Sequence, residues 1–332
     1  MISTHAKTCK EIIIRKNKGF ITKFVVYFLT LNRFIISQAY KIIMNRIVVT
    51  GSSGSLGKKL MKKLEQTHYE YIGISRRIKN KKTKIVNLED FNQVRDFFQI
   101  YKPKTIIHLS ALTGNLECEQ KPYQAFLSNV LVTYNVLKAS APFRSKIIFA
   151  STREVYGNCK NASEKSPLQP ININGTTKML AEKLIINHNK QFLTPYIILR
   201  FTNFYGENYF KRGVVSMIKK SIEGEKIDVF GGKQSLDLIH YNDVVTAIMK
   251  SINHKKTEIF NVGGGQLTTP LKLIKKIETI TGKNIQYKIR PYRNFEVKSF
   301  SINLTKSKKI LKFNPTIKIE SFLESMVKNG QI

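Results

Sequence analysis

Cysteine is scarce in this chain and poorly placed for chemistry. Cys9, Cys118 and Cys159 lie far apart and are odd in number, which excludes a disulfide framework and any metal site of ordinary cysteine spacing. A reduced, cytoplasmic chain is the expectation. The six histidines contain no H-x-x-x-H or similar pair, so no metal is expected and structural roles are the default. No apolar run is long enough to cross a bilayer: Phe24–Leu31 is too short and is bracketed by Lys23 and Arg33, so no transmembrane segment is expected. Internal repeats and low-complexity linkers are absent. Acidic residues are few, 22 against 56 Lys and Arg, for a formal charge of +34. Such a charge raises the question of nucleic acid or an anionic membrane as partner. The lysines are spread along the whole chain, however, without an arginine-rich stripe or a basic block interleaved with aromatics. The charge reads as compositional, alongside abundant Ile and Asn, and no nucleic-acid partner is expected.

What is there begins with 332 residues and 42% hydrophobic content, enough for a full core with a smaller appended lobe. The first 43 residues stand apart, with eight basic residues and the single acid Glu11. Met44 precedes the first clean strand signal. Residues 1–43 are therefore read as a basic extension, either an over-long start or a disordered tail.

From Met44 the pattern alternates. "RIVVT" (46–50), "YIGIS" (71–75), "KIVN" (84–87), "TIIHLS" (105–110), "KIIFAS" (146–151) and "YIILRF" (196–201) are continuous apolar runs of the kind that buried parallel strands require. Between them, 55–66, 90–101 and 123–140 have apolar residues at helical spacing. The expected class is α/β: a Rossmann-like doubly wound parallel sheet over 44–202, with 237–262 also contributing, and a smaller α/β lobe over most of 203–332. In that lobe "IDVF" (227–230) and "IQYKI" (285–289) read as strands.

"VVTGSSGSLGKKL" sets Gly51, Gly54 and Gly57 in a strand-to-helix turn, with Ser55 and Leu56 opening the helix. Glycines there permit a sharp turn, close approach of a pyrophosphate and tight helix–strand packing, while the helix start offers free N–H groups. Dinucleotide binding is the expectation. An acid at the end of the second strand would hold the ribose hydroxyls of NAD; this chain has Ser75, then Arg76 and Arg77. A small residue beside guanidinium groups suits a 2′-phosphate, so NADP is favoured over NAD.

The glycine spacing, "HLSA" (108–111), "STREVYG" (151–157), "PININGTTKMLAEK" (170–183), "RFTNFYGE" (200–207), "NDVVTAI" (242–248) and "IFNVGGG" (259–265), in that order, resemble the extended short-chain dehydrogenase/reductase family. The resemblance is to its nucleotide-sugar epimerase/dehydratase branch, in particular UDP-glucose 4-epimerase-type enzymes. It implies an isomerase or lyase for surface-polysaccharide precursors, acting on a UDP-, dTDP- or GDP-linked sugar by transient hydride transfer to NAD(P). It also implies a homodimer paired through helices near 123–140 and 177–189. Carried over, it makes Thr152 the hydroxyl that orients the reacting group and Lys178 the lysine that tunes the base and binds nicotinamide ribose. Asn87 and Leu88 fall beside the adenine, Ala111 and Asn129 on the cofactor side, and Asn203 and Arg293 near the sugar diphosphate.

Two positions depart from the family pattern. Its Y-x-x-x-K would put the tyrosine at 174, where this chain has Asn174, an amide without an accessible pKa. Its arginine before the residue corresponding to Asp237 is Leu236, which has no donor. The reading is therefore an epimerase/dehydratase whose activity is in question. The alternatives are a non-catalytic cofactor-binding pseudoenzyme and an NADPH-dependent keto-sugar reductase.

Overall fold

The structure is a computed structural model that describes residues 46–206, 216, 220 and 223–329. The basic extension 1–43 and Glu207 lie outside the described residues. In chain order the strands are β1 (Arg46–Thr50), β2 (Glu70–Ser75), β3 (Thr83–Ile85), β4 (Thr105–His108), β5 (Lys146–Thr152), β6 (Cys159–Ala162), β7 (Tyr196–Phe201), β8 (Asn203–Tyr205), β9 (Ile227–Phe230), β10 (Leu236–His240), β11 (Glu258–Val262), β12 (Leu267–Thr268), β13 (Tyr287–Arg290) and β14 (Phe300–Ile302).

Seven strands form one parallel sheet in the order β11-β7-β5-β4-β1-β2-β3. Its apolar runs serve two cores at once, because successive strand side chains point to opposite faces. Ile47, Val49, Ile107 and Ile148 pack on one face with Leu60, Leu64 and Val244. Val48, Ile106, Ile147 and Phe149 pack on the other with Val94, Phe98, Val136 and Ile185. Each such side chain contributes about 1.5–3 kcal/mol on burial. The expected strand at 84–87 is shorter and earlier, and Asn87 instead begins a turn in which its Oδ1 accepts the Glu89 N–H. The strand expected at 285–289 is shifted to Tyr287–Arg290.

After β1 the chain builds outward to β2 and β3; after β4 it builds the other way to β5, β7 and β11. The β1 and β4 exits therefore diverge at the carboxyl edge, where a doubly wound sheet opens a crevice. Outside that sheet lie the three-stranded sheet β12-β10-β8 and the pair β13-β9. A further apolar cluster includes Leu236, Leu238, Leu273 and Phe322. Lys146 ties the C-terminus of the helix Tyr241–Asn253 to β5 by donating to the carbonyls of Ser251, Ile252 and His254. Among the described residues no helix is long and apolar enough to cross a membrane.

Candidate active site

The β1 exit explains its glycines one by one. Gly51 has φ +69°, and a Cβ on it would lie 2.9 Å from the Ser110 nitrogen on the β4 exit. A Cβ on Gly57 would lie 2.2 Å from the Gly51 carbonyl oxygen, so the helix Ser55–Leu64 can seat on the turn only with glycine there. Gly54 caps that helix without a side-chain hydrogen bond, and its first turn holds no acid. Its leading N–H groups and dipole are left to an anion.

Thr50 and His108 lock the two exits together. Thr50 Oγ1 accepts from the Leu109 and Ser110 amides, both at 3.2 Å, so its own proton goes to His108 Nδ1 at 2.7 Å. Thr133 donates to the Asn129 carbonyl, which leaves its oxygen to accept from His108 Nε2 at 3.1 Å. His108 is thereby held neutral, and burial, aided by the Lys178 charge, pulls its pKa down to about 3. It is structural, as expected of an unpaired histidine.

Arg76, Asn87, Leu88 and Ala111 converge on one hollow with Glu89, Ser110, Ser128 and Val132. Arg76 lies 3.6 Å from Glu89. Ser75 donates to Ser53 and accepts from the amides of Arg77 and Ile78, which turns the chain at the β2 exit; Arg77 does not line the hollow. Asn129 sits in a π-helical turn, Leu127–Leu131, within the expected 123–140 helix. Its side chain accepts from the Leu112 amide and donates to the Leu112 carbonyl and to Thr177. It positions the β4 loop against the next helix.

That helix, Ile173–Phe192, is entered through Asn172, whose side chain accepts from the Gly175 amide. Asn174 and Lys178 follow one turn apart on it. Lys178 Nζ donates to the Ala150 carbonyl at 2.8 Å and lies 4.6 Å above the Phe149 ring. Burial brings its pKa down to about 8, against the opposing pull of Cys118 and Glu182. Asn174 donates to Asn115 Oδ1 at 3.1 Å, and its own Oδ1 is buried with no partner among the described residues. Thr152 Oγ1 accepts the Glu154 amide at 3.2 Å, which leaves its proton for a ligand oxygen.

Nearby phenols and hydroxyls are committed elsewhere. Tyr156 is buried, donates to Asn261 and accepts from Arg200, and burial pushes its pKa to about 12. Thr177 donates to the Ile173 and Asn174 carbonyls. Below them, Ser151 and Arg200 both hold Glu182, forming a buried floor under the β5 end.

Arg293 lies 3.6 Å over the Phe230 ring and 3.7 Å from Glu296. Asn203, on β8, has a buried Oδ1 with no partner among the described residues. Leu236 is packed in the apolar cluster with Leu238 and Phe322, so β10 offers no cation at the position before Asp237. Asp237 beside it accepts from Thr202, Gly264 and Gly265 and is structural. Sequence reasoning did not single out Arg153 and Glu154. Both are buried, ion-paired at 3.0 Å, and Glu154 also accepts from Asn172 at 2.7 Å. Their signal was two charges inside the strand-ending "STREVYG". A separate hollow of about 440 Å³, lined in part by Leu238, Thr268, Lys276 and Glu320, contains none of the expected site residues.

Residues 47–263 match the model of the NAD dependent epimerase/dehydratase family. A protein described as a putative UDP-glucose 4-epimerase from Methanocaldococcus jannaschii is 30% identical over 252 residues, 70% of this chain and 81% of that protein. The crystal structure of Thermotoga maritima UDP-glucose 4-epimerase with UDP-glucose superposes with a TM-score of 0.79 at 26% identity, covering 86% of this chain and 98% of that one. The Bacillus cereus UDP-glucuronic acid 4-epimerase with UDP-glucuronic acid and NAD gives 0.78 at 25% identity, covering 86% and 99%.

Proposed function

The chain belongs to the NAD dependent epimerase/dehydratase family, and from that premise we propose that it binds a nicotinamide dinucleotide and a nucleotide sugar in the crevice at the carboxyl edge of the large sheet, with epimerase-type turnover held low by Asn174. The glycine turn, the uncapped helix start and the Arg76–Ala111 hollow fit a dinucleotide. Arg76, and Ser75 where an acid would stand, favour the 2′-phosphorylated form, so NADP is proposed ahead of NAD. When bound, such a cofactor supplies hydride acceptance and return.

The chain's own residues have separable tasks. Lys178, held against the Ala150 carbonyl, presents a desolvated ammonium that is still mostly protonated at pH 7. Thr152 has its proton free to orient a sugar hydroxyl. The missing task is removal of that hydroxyl's proton, because Asn174 has an amide there and Tyr156 is locked in the floor. The carrying observation is the Asn174–Asn115 amide pair, one turn before Lys178. It equally supports the second reading, a cofactor-binding protein without turnover.

The test is a paired assay of the wild type and Asn174→Tyr on UDP-, dTDP- and GDP-sugars, with the bound dinucleotide identified. Restoring a tunable acid–base group is expected to raise kcat roughly 10²–10⁴-fold. A wild type that already turns over rapidly, with no gain in the variant, would exclude both the impaired enzyme and the non-catalytic protein.

A further inference from the structure

Arg153 is a buried cation with more donors than acceptors. It follows Thr152 directly at the end of β5, and only 5% of it is exposed. Its Nη2 meets Glu154 at 3.0 Å, and its Cζ lies 4.9 Å from the centre of the Phe300 ring. Its Nε and Nη1 are buried and meet no acceptor among the described residues. Asp237 feels the Arg153 charge but makes no hydrogen bond to these atoms; its own bonds are to Thr202, Gly264 and Gly265. Unmet buried donors are costly, so the arrangement calls for an oxygen acceptor from outside the chain.

Four other unmet buried atoms have the opposite character. Asn174 Oδ1, Asn203 Oδ1, Gln234 Oε1 and Glu296 Oε2 are all buried without partners among the described residues. Chain contacts join the segments of Asn174, Glu296 and Gln234 to that of Arg153: Glu154 accepts from Asn172, Asn172 donates to the Phe295 carbonyl, Arg293 lies by Glu296 and over Phe230, and Gln234 donates to the Phe230 carbonyl. Three acceptors on joined segments call for a ligand with several hydroxyl donors. One guanidinium calls for a single anionic group on that same ligand.

Exposure separates Arg153 from the diphosphate end. The Arg293 side chain is 30% exposed and that of Arg153 is 6%. A diphosphate joined to a nucleoside suits the open cation; only a compact anion on the sugar itself suits the closed one, beside the Thr152 hydroxyl. We propose that Arg153 selects an acidic sugar, binding the carboxylate of a nucleotide-linked hexuronate. This assignment rests on the nucleotide-sugar reading of the crevice.

The test is calorimetric titration of the full chain with UDP, UDP-glucose and UDP-glucuronate. The wild type is expected to bind UDP-glucuronate about tenfold or more tighter than UDP-glucose, the scale of one hydrogen-bonded charge pair. Arg153→Gln is expected to abolish that difference with UDP binding unchanged, and Arg153→Lys to restore part of it. Equal affinities in the wild type, a ratio that needs no folded variant, would overturn the assignment. So would an Arg153→Gln loss shared equally by all three ligands. UDP binding without a carboxylate preference overturns Arg153 alone, whereas failure of UDP itself to bind removes the nucleotide-sugar reading with it.

Discussion

Lys178 shows how burial changes a residue that sequence places only by register. In the fold its ammonium titrates near pH 8, whereas an exposed lysine titrates near 10.4. Between those values the unfolded chain binds more protons than the native one, so this group makes stability rise with pH across that window. From pH 8 to 9.5 the gain is on the order of 1–2 kcal/mol. Denaturant titrations of the wild type and Lys178→Met at those two pH values are expected to differ by that amount, with the flatter response in the variant. Tyr156 and other buried phenols, whose pKa values burial raises, oppose the trend at higher pH but are common to both proteins and cancel in the difference. Lys146, also brought to about 8 by burial, contributes equally to both proteins and cancels.

At the scale of elements, the turn from β1 into the helix Ser55–Leu64 is the most constrained. Gly57→Ala drives a methyl to 2.2 Å from the Gly51 carbonyl, and backbone cannot swing aside as a side chain can. The expected cost is about 1–3 kcal/mol of stability, read from denaturant midpoints, with dinucleotide binding lost in fluorescence titration even where the variant remains folded. The same turn was legible in the sequence because three glycines between an apolar run and a helical pattern have few other uses. The π-turn at Leu127–Leu131 was not legible. Its cause is the long-range grip of Asn129 on Leu112 and Thr177, which no local pattern reports. β3 ended early for a similar reason: an Asx turn at Asn87 competed with the strand.

For the whole molecule, the helices Val132–Ser140 and Ile173–Phe192 carry exposed Tyr134 and Leu180, with Tyr123 and Phe126 exposed just before them. These apolar side chains support the proposed homodimer. Sedimentation equilibrium is expected to give twice the 38.2 kDa chain mass, and Tyr134→Glu with Leu180→Glu to return the single-chain value while keeping a cooperative unfolding transition. A single-chain mass for the wild type would reject it. The strongly basic composition argues for running that measurement at moderate salt, where like-charge repulsion between copies is screened.

Periodicity and residue identity were enough for the doubly wound sheet, the glycine turn after β1 and the lack of a phenol at 174. These follow from strand and helix periods, from the steric demands of glycine and from residue identity, all of which are local. The fold was needed to see that Asn174 is paired with Asn115, that Leu236 belongs to a core and that Asn129 is a brace. It alone revealed Arg153 as an unmet cation beside Thr152. Whether a polar group is satisfied depends on which distant segments fold against it, and that is settled by packing, not by sequence spacing.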